Sequence, residues 1–385
     1  MNAARPLRVL HVGKFYPPYW GGMETHLETL CSELKNCLTV AVVVANDCNR
    51  NSEEVLDGVN VVRIAKLFSV KSAPICPAMA RRIRQTPADI VHLHLPNPTA
   101  LIACLMSGRK EHLILTWHSD IVRQKLLSRA VRPLEHKFLK SCDACIATSP
   151  NYIESSPLLK QYEGRCRVIP FGIPIERFRS GDATTVSAIR QRYGPHIVLG
   201  VGRLIYYKGF EYAIAAMTRV DGRLLIIGDG PLRRRLERYT QALGMRNRVV
   251  FLGEVQNHEI SSYYHAADVF VLPSVERSEA FGIVQLEAMA CGKPVVNTRL
   301  DSGVPFVSLD GVTGITVPPS NAEELAAAIN KLLRNDELRV KYGQAARKRV
   351  QDEFSVELMA RRTLDLYHEV TCQKNTRHGP IEAYR

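Results

Sequence analysis

Ser278-Glu279-Ala280-Phe281-Gly282-Ile283-Val284-Gln285-Leu286-Glu287-Ala288-Met289-Ala290-Cys291-Gly292-Lys293-Pro294-Val295-Val296 reads as a turn, an apolar helix and a buried strand. Two carboxylates flank the small tripeptide that opens the helix. A helix start offers free backbone N–H groups and a positive dipole end, which suit phosphate oxygens. Glu279 and Glu287 would repel phosphate, so they are not part of that binding. They can instead accept hydrogen bonds from hydroxyls on either side of a diphosphate, a ribose at one end and a sugar at the other.

Working outward, strand-like and helix-like segments alternate along the whole chain, which predicts an α/β fold with parallel sheets. The first half predicts strands at Leu7–Val12, Leu38–Val44, Asn60–Ile64, Ile90–Leu93, His112–Thr116, Ala144–Thr148 and Cys166–Ile169. Helices are predicted between them at Gly22–Leu34, Met79–Gln85, Thr99–Ser107 and Ile121–Lys140. After Phe171-Gly172-Ile173-Pro174 the rhythm restarts with a strand ending in Val201-Gly202. Leu224–Ile227, Val249–Leu252, Val269–Leu272 and Pro294–Asn297 follow. This predicts two Rossmann-like, doubly wound domains, 1–180 and 181–354, facing a central cleft. A last helix, 355–372, could belong to either domain, including by packing back on the first. A polar tail, 373–385, is expected to be disordered.

The 385 residues are 46% hydrophobic and 23% charged, as in a soluble globular protein. No signal-peptide pattern and no spanning apolar run is visible, and the expected location is cytoplasmic. Ten cysteines are too sparse for a disulfide scaffold. Cys142 and Cys145 form one C-x-x-C without a second pair, so buried reduced thiols are expected. The net charge of +13 lies mostly in the first half, which suggests an anionic partner there.

In sheets of this kind ligands bind beyond the carboxyl ends of the strands. After the first strand, Gly21-Gly22 precedes a helix and lets backbone approach a ligand closely. After the fifth comes Thr116-Trp117-His118-Ser119-Asp120, where His118 can hydrogen-bond a sugar hydroxyl or serve as an ordinary structural histidine. His92 and His94 share a strand face, but no third ligand is evident nearby, which argues against zinc. In the second half Arg203 and Lys208 follow the first strand and suit a diphosphate. Gly230 and Val255 lie at further strand ends and could border a phosphate or a nucleobase.

The ordered blocks Val201-Gly202-Arg203…Lys208-Gly209, Ile227-Gly228-Asp229-Gly230-Pro231-Leu232, Phe251-Leu252-Gly253, Ala267–Ser274 and Glu279…Glu287–Val295 resemble the GT-B-fold retaining glycosyltransferases of family 4. Gly21-Gly22-Met23-Glu24 and Trp117-His118-Ser119-Asp120 match that family's first domain, and the similarity spans about residues 7–372. The resemblance implies a nucleotide-sugar donor on the second domain and a glycan or lipid-linked acceptor on the first. By the E-x7-E match, Glu287 would bind ribose and Glu279 would contact the donor sugar near the reacting carbon. Arg203 and Lys208 would hold the diphosphate with backbone N–H groups of Phe281, Gly282, Ile283 and the Gly21-Gly22 turn. His118 would contact the transferred sugar. A mannosyl donor such as GDP-mannose is favoured by resemblance to mannosyl-transferring members, with UDP-sugars open.

No Asp-x-Asp occurs in the chain, and Arg203 and Lys208 can neutralise a diphosphate, so neither cofactor nor metal is expected. Between 121 and 140, Leu127, Val131, Leu134 and Phe138 keep helical spacing among six basic residues. Pro133 is expected to kink or split that helix. The segment could dock on its own sheet or attach peripherally to an anionic membrane at its inner face. Aromatic residues are not interleaved with the basic clusters, which disfavours nucleic acid. An oxidoreductase would need a glycine fingerprint that neither first turn has. A non-catalytic sugar-nucleotide binder of the same fold is the other alternative.

Overall fold

The computed structural model describes residues 5–19, 21–70, 73–120 and 125–376. They form two compact units, one of the described residues up to 172 and from 356 to 376, the other of 173–355.

In the first unit the strands are β1 (Arg8–Val12), β2 (Thr39–Ala45), β3 (Ser52–Leu56), β4 (Val59–Ile64), β5 (Phe68–Val70), β6 (Ala73–Ile75), β7 (Ile90–Leu95), β8 (His112–Trp117), β9 (Ala144–Ala147) and β10 (Cys166–Val168). Eight of them form one sheet in the order β10-β9-β8-β7-β1-β2-β4-β3. All neighbours are parallel except β3, which runs antiparallel to β4 at the edge. β1, β7 and β9 are apolar-rich and buried almost throughout, as strands covered on both faces must be. Local chemistry sets the helix starts. Asn97 accepts from the N–H of Ala100 to cap Pro98–Ser107, and Ser149 accepts from Tyr152 to cap Pro150–Ser155. One core joins Val9, Leu27, Val42, Ile90 and Ile114 to Leu366 and Tyr367 of the last helix, Val356–Thr376.

The second unit holds β11 (Ile197–Val201), β12 (Arg223–Ile227), β13 (Val249–Gly253), β14 (Val269–Leu272), β15 (Val295–Thr298) and β16 (Gly314–Val317). Its sheet is wholly parallel, in the order β13-β12-β11-β14-β15-β16. Val198, Phe210, Ile214, Leu224, Val269, Leu325 and Ile329 form its core. β11 neighbours both β12 and β14, so the strand order reverses there and ligand-binding loops gather at its carboxyl end.

Three expectations shift. The units divide between Gly172 and Ile173 rather than at 180, because residues 173–180 attach to the second unit. Ile173 bridges to Ser355, Arg177 donates to the carbonyl of Asn257, and His265 hydrogen-bonds the carbonyl of Phe178. The last helix belongs to the first unit and runs to Thr376, into the stretch expected to be disordered; residues 377–385 lie outside the described residues. The basic helix covers Lys125–Ser141 and stays continuous through Pro133, while the expected start at 121–124 also lies outside them.

Candidate active site

In the second unit the candidate residues lie on loops at one edge of a single sheet. The loop after β11 passes through Gly202, Arg203 and a 3-10 turn, Tyr206–Lys208. Gly209 follows with φ 63°, and a Cβ there would fall against the carbonyl oxygen of Pro273. Only glycine lets this turn rest on the exit from β14. The N–H of Val275 donates to the carbonyl of Tyr207 at 2.8 Å and holds the two segments together.

Lys208 Nζ lies 2.6 Å from Glu279 Oε2, with the two side chains 11% and 9% exposed. Ser274 Oγ donates to the same oxygen at 2.9 Å. The sequence points Lys208 to a diphosphate and Glu279 to a sugar, but the structure pairs the two with each other. An ammonium has three donors, so one can hold the carboxylate while others face a phosphate oxygen. Arg203 is exposed beside this pair in sequence and is available to solvent-borne anions.

Glu279 leads into the helix Ile283–Ala290, whose N-cap is Gly282 at φ 76° with no side-chain cap. A Cβ on Gly282 would come within 2.6 Å of Leu272 Cδ2, so the helix start is pressed against the end of β14. Phe281 is buried, and its ring packs edge-on to Phe354. Only its backbone can serve a ligand. One turn into the helix, Glu287 accepts a 2.6 Å hydrogen bond from Tyr264. Desolvation raises the pKa of Glu287, opposed by the Tyr264 bond and the positive charges of Arg177 and Lys208.

Gly230 has φ 159°, and the loop around it locks onto the loop after β11: Leu204 N–H donates to Asp229, and Leu232 N–H donates back to Leu204. Val255 follows β13, half-buried, and Gly228 N–H donates to Gly253 at that strand's end. Arg203, Lys208, Gly230, Val255, Glu279 and Gly282 are thus all carried by carboxyl-terminal loops of adjoining strands.

In the first unit Gly21 and Gly22 open the helix Gly22–Leu34. A Cβ on Gly22 would meet nothing, whereas one on Gly21 would collide with the Glu24 carboxylate. Glu24 therefore folds back over the helix start that sequence reasoning offered to phosphate. Burial raises its pKa. His118 follows β8 and is buried, and its Nε2 lies 3.1 Å from Nδ1 of His94.

His94 in turn corrects the view that His92 and His94 lack a third nearby ligand. β1 and β7 pair in parallel with His11 opposite His92, and His11, His92 and His94 place ring nitrogens within 4.8 Å of one another. His26, His94 and His118 do the same. The position of His11 near the carboxyl end of β1 was the available signal, and it becomes informative only once strand order is known. Burial keeps all five imidazoles neutral: it pulls His11 and His26 down to about 3, and His92, His94 and His118 well below their ordinary value. All ten cysteines are free thiols.

The pattern described as "Glycosyl transferases group 1" matches residues 185–349, and "Glycosyltransferase Family 4" matches 20–177. The chain is 32% identical to O-antigen chain mannosyltransferase C of Escherichia coli over 94% of this chain and 98% of that protein. It belongs to the group 1 glycosyltransferases. This glycosyltransferase is also 32% identical to the D-rhamnosyltransferase WbpZ of Pseudomonas aeruginosa, covering 91% and 92% of the two chains. Its structure resembles sucrose-phosphate synthase of Thermosynechococcus elongatus with a TM-score of 0.83 at 24% identity, covering 95% of this chain and all of that one. The fold is GT-B. In the glycosyltransferase, the Lys208–Glu279 pair and the Gly282 helix start occupy the half matched by the group 1 pattern.

Proposed function

We propose that this glycosyltransferase moves a mannosyl group from GDP-mannose to a growing glycan or lipid-linked acceptor with retention of anomeric configuration. The observation that carries the reading is the buried Lys208–Glu279–Ser274 constellation at the entry to an uncapped helix. Backbone N–H groups of 281–283, with Arg203 and Lys208, receive the diphosphate, and Glu287 receives ribose hydroxyls. The bond between the sugar's anomeric carbon and the phosphate oxygen breaks as the acceptor oxygen bonds to the same face. The acceptor proton passes to the departing phosphate. Glu279 steadies the oxocarbenium-like carbon with its charge, and Arg203 and Lys208 lower the barrier by stabilising the leaving diphosphate. His118 contacts the transferred sugar.

The mannosyl preference is supported by the E. coli relative, whose name states a mannosyltransferase. A thermal-shift panel of GDP-mannose, UDP-glucose, UDP-galactose and UDP-N-acetylglucosamine, followed by transfer assays, tests it. Stabilisation by a UDP-sugar without response to GDP-mannose would replace the donor. An inverted product anomer would remove the retaining mechanism.

We further propose that the first unit meets an anionic membrane. Arg129, Arg132, Lys137 and Lys140 are exposed on the Lys125–Ser141 helix while Val131 and Phe138 are buried. The Pro98–Ser107 helix, packed beside it, exposes Ile102, Leu105 and Met106. Cationic and apolar side chains on adjoining helices suit the headgroup boundary. No helix among the described residues is long and apolar enough to cross a membrane.

A further inference from the structure

Three buried rings in the first unit are joined end to end. Nδ1 of His11 lies 3.0 Å from Nε2 of His94, and Nδ1 of His94 lies 3.1 Å from Nε2 of His118. Burial keeps each ring neutral, so each carries one N–H and one bare nitrogen. Two bonds among three such rings allow only two arrangements. In one, His11 donates to His94, His94 donates to His118, and Nδ1 of His118 carries the proton. In the other every ring is the opposite tautomer, and Nδ1 of His118 presents a lone pair. Both arrangements keep both bonds and zero charge. The two ends, His11 Nε2 and His118 Nδ1, are buried without a hydrogen-bond partner among the described residues.

We propose that His11, His94 and His118 form a reversible hydrogen-bond chain whose direction decides whether Nδ1 of His118 donates to or accepts from a bound sugar. The role at the sugar rests on the reading of His118 under Proposed function; the chain itself does not. His94 and His11 are then positioning residues, and a bound ligand selects the direction. A phosphate or ring oxygen selects the N–H at His118 Nδ1, and a hydroxyl that donates there selects the lone pair. Reversal from the first arrangement to the second releases one proton at His118 Nδ1 and takes up one at His11 Nε2, with water as acceptor and source. Two protons shift between rings, so no charge is left behind.

His92 stands beside the chain as a fixed spur. Its Nδ1 is 2.6 Å from the Tyr367 hydroxyl and its Nε2 is 2.7 Å from Thr116 Oγ1, so both nitrogens are committed. A divalent metal would suit the spacing of the nitrogens, but the grouped ligands include no carboxylate. Binding one would also break hydrogen bonds that already commit both nitrogens of His92 and of His94.

The experiment uses full-length protein with ¹⁵N-labelled histidine, read by long-range ¹⁵N–¹H spectra that report each ring's tautomer. Free protein is expected to show His118 averaged between the two tautomers, and saturating donor to drive it to one. His94→Leu should fix His118 in one tautomer without donor and lower kcat at least ten-fold with donor KM unchanged. His94→Gln, which can both donate and accept, should recover most of that loss. A His118 signal unaffected by His94→Leu would overturn the chain, as would stoichiometric zinc that leaves with His94. Equal loss in the Leu and Gln variants would overturn the positioning role. If the tautomer response appears but His118→Ala transfers at the wild-type rate, the sugar contact fails and the chain stands.

Discussion

Lys208 Nζ and Glu279 Oε2 stand 2.6 Å apart, both nearly excluded from solvent, although 71 positions separate them in the sequence. The pair binds the loop after β11 to the approach of the Ile283–Ala290 helix, so its removal must be separated into folding and chemistry. Deleting one partner leaves an uncompensated buried charge, which costs about 3–5 kcal/mol. Lys208→Met and Glu279→Gln should each lower stability by roughly that amount and transfer by about 10²–10³-fold. The double variant should regain most of the stability and none of the activity. Urea denaturation and initial rates check this; a double variant as active as wild type would dismiss the pair from the chemistry.

If Arg203, Lys208 and the helix amides receive the diphosphate as proposed, transfer should proceed at full rate in excess EDTA. Strict dependence on added Mg²⁺ or Mn²⁺ would show that a cation shares that task.

Acid should act on the histidine cluster. The His26 ring is buried against Phe171, with centroids 4.5 Å apart, and is held neutral down to about 3. In the unfolded chain it titrates near 6.5. Below that value the unfolded state takes a proton that the folded state refuses, so this contribution is intact above 6.5 and is lost as pH falls toward 3. Glu135, pushed up to about 7 by burial, works in the opposite direction, so a variant isolates the effect better than a wild-type profile. His26→Phe should match or exceed wild-type stability at pH 7.5 and gain on it by about 1.4 kcal/mol per pH unit below 6.5. A constant difference between pH 7.5 and 5 would contradict the neutral state.

Tyr367→Phe removes the partner of His92 Nδ1 and should destabilise the first unit by about 1–3 kcal/mol. Hydrogen exchange should show the loss around β7 and the last helix, with the second sheet unchanged. Uniform loss across both units would mean that they do not unfold separately.

Flotation with liposomes should favour anionic over neutral vesicles at low salt, and Lys137→Glu with Lys140→Glu should abolish the difference. No preference for anionic vesicles in the wild type would remove the membrane proposal.

Much of this was legible because parallel strands buried on both faces leave apolar runs that end abruptly at glycine or proline. β14 and the Gly22–Leu34 helix fall at their expected residues. β3, Ser52-Glu53-Glu54-Val55-Leu56, was missed because an exposed antiparallel edge strand needs no apolar face. β16 was missed as well: Gly314-Ile315-Thr316-Val317 is too short to stand out from its surroundings. Glu279 and Lys208 could be singled out as chemistry-bearing, but their pairing depends on a glycine turn resting on Pro273. The histidine chain was illegible for a related reason. It follows from the register of β1 against β7, which joins residues about eighty positions apart.

The first unit is assembled from segments on either side of the second, since Leu366 and Tyr367 complete a core begun by Val9. During synthesis the ribosome delivers residues 173–355, a contiguous block, before that closing helix emerges. The second unit can therefore mature first, while the earlier-made sheet waits with one flank open until Val356–Thr376 has been made.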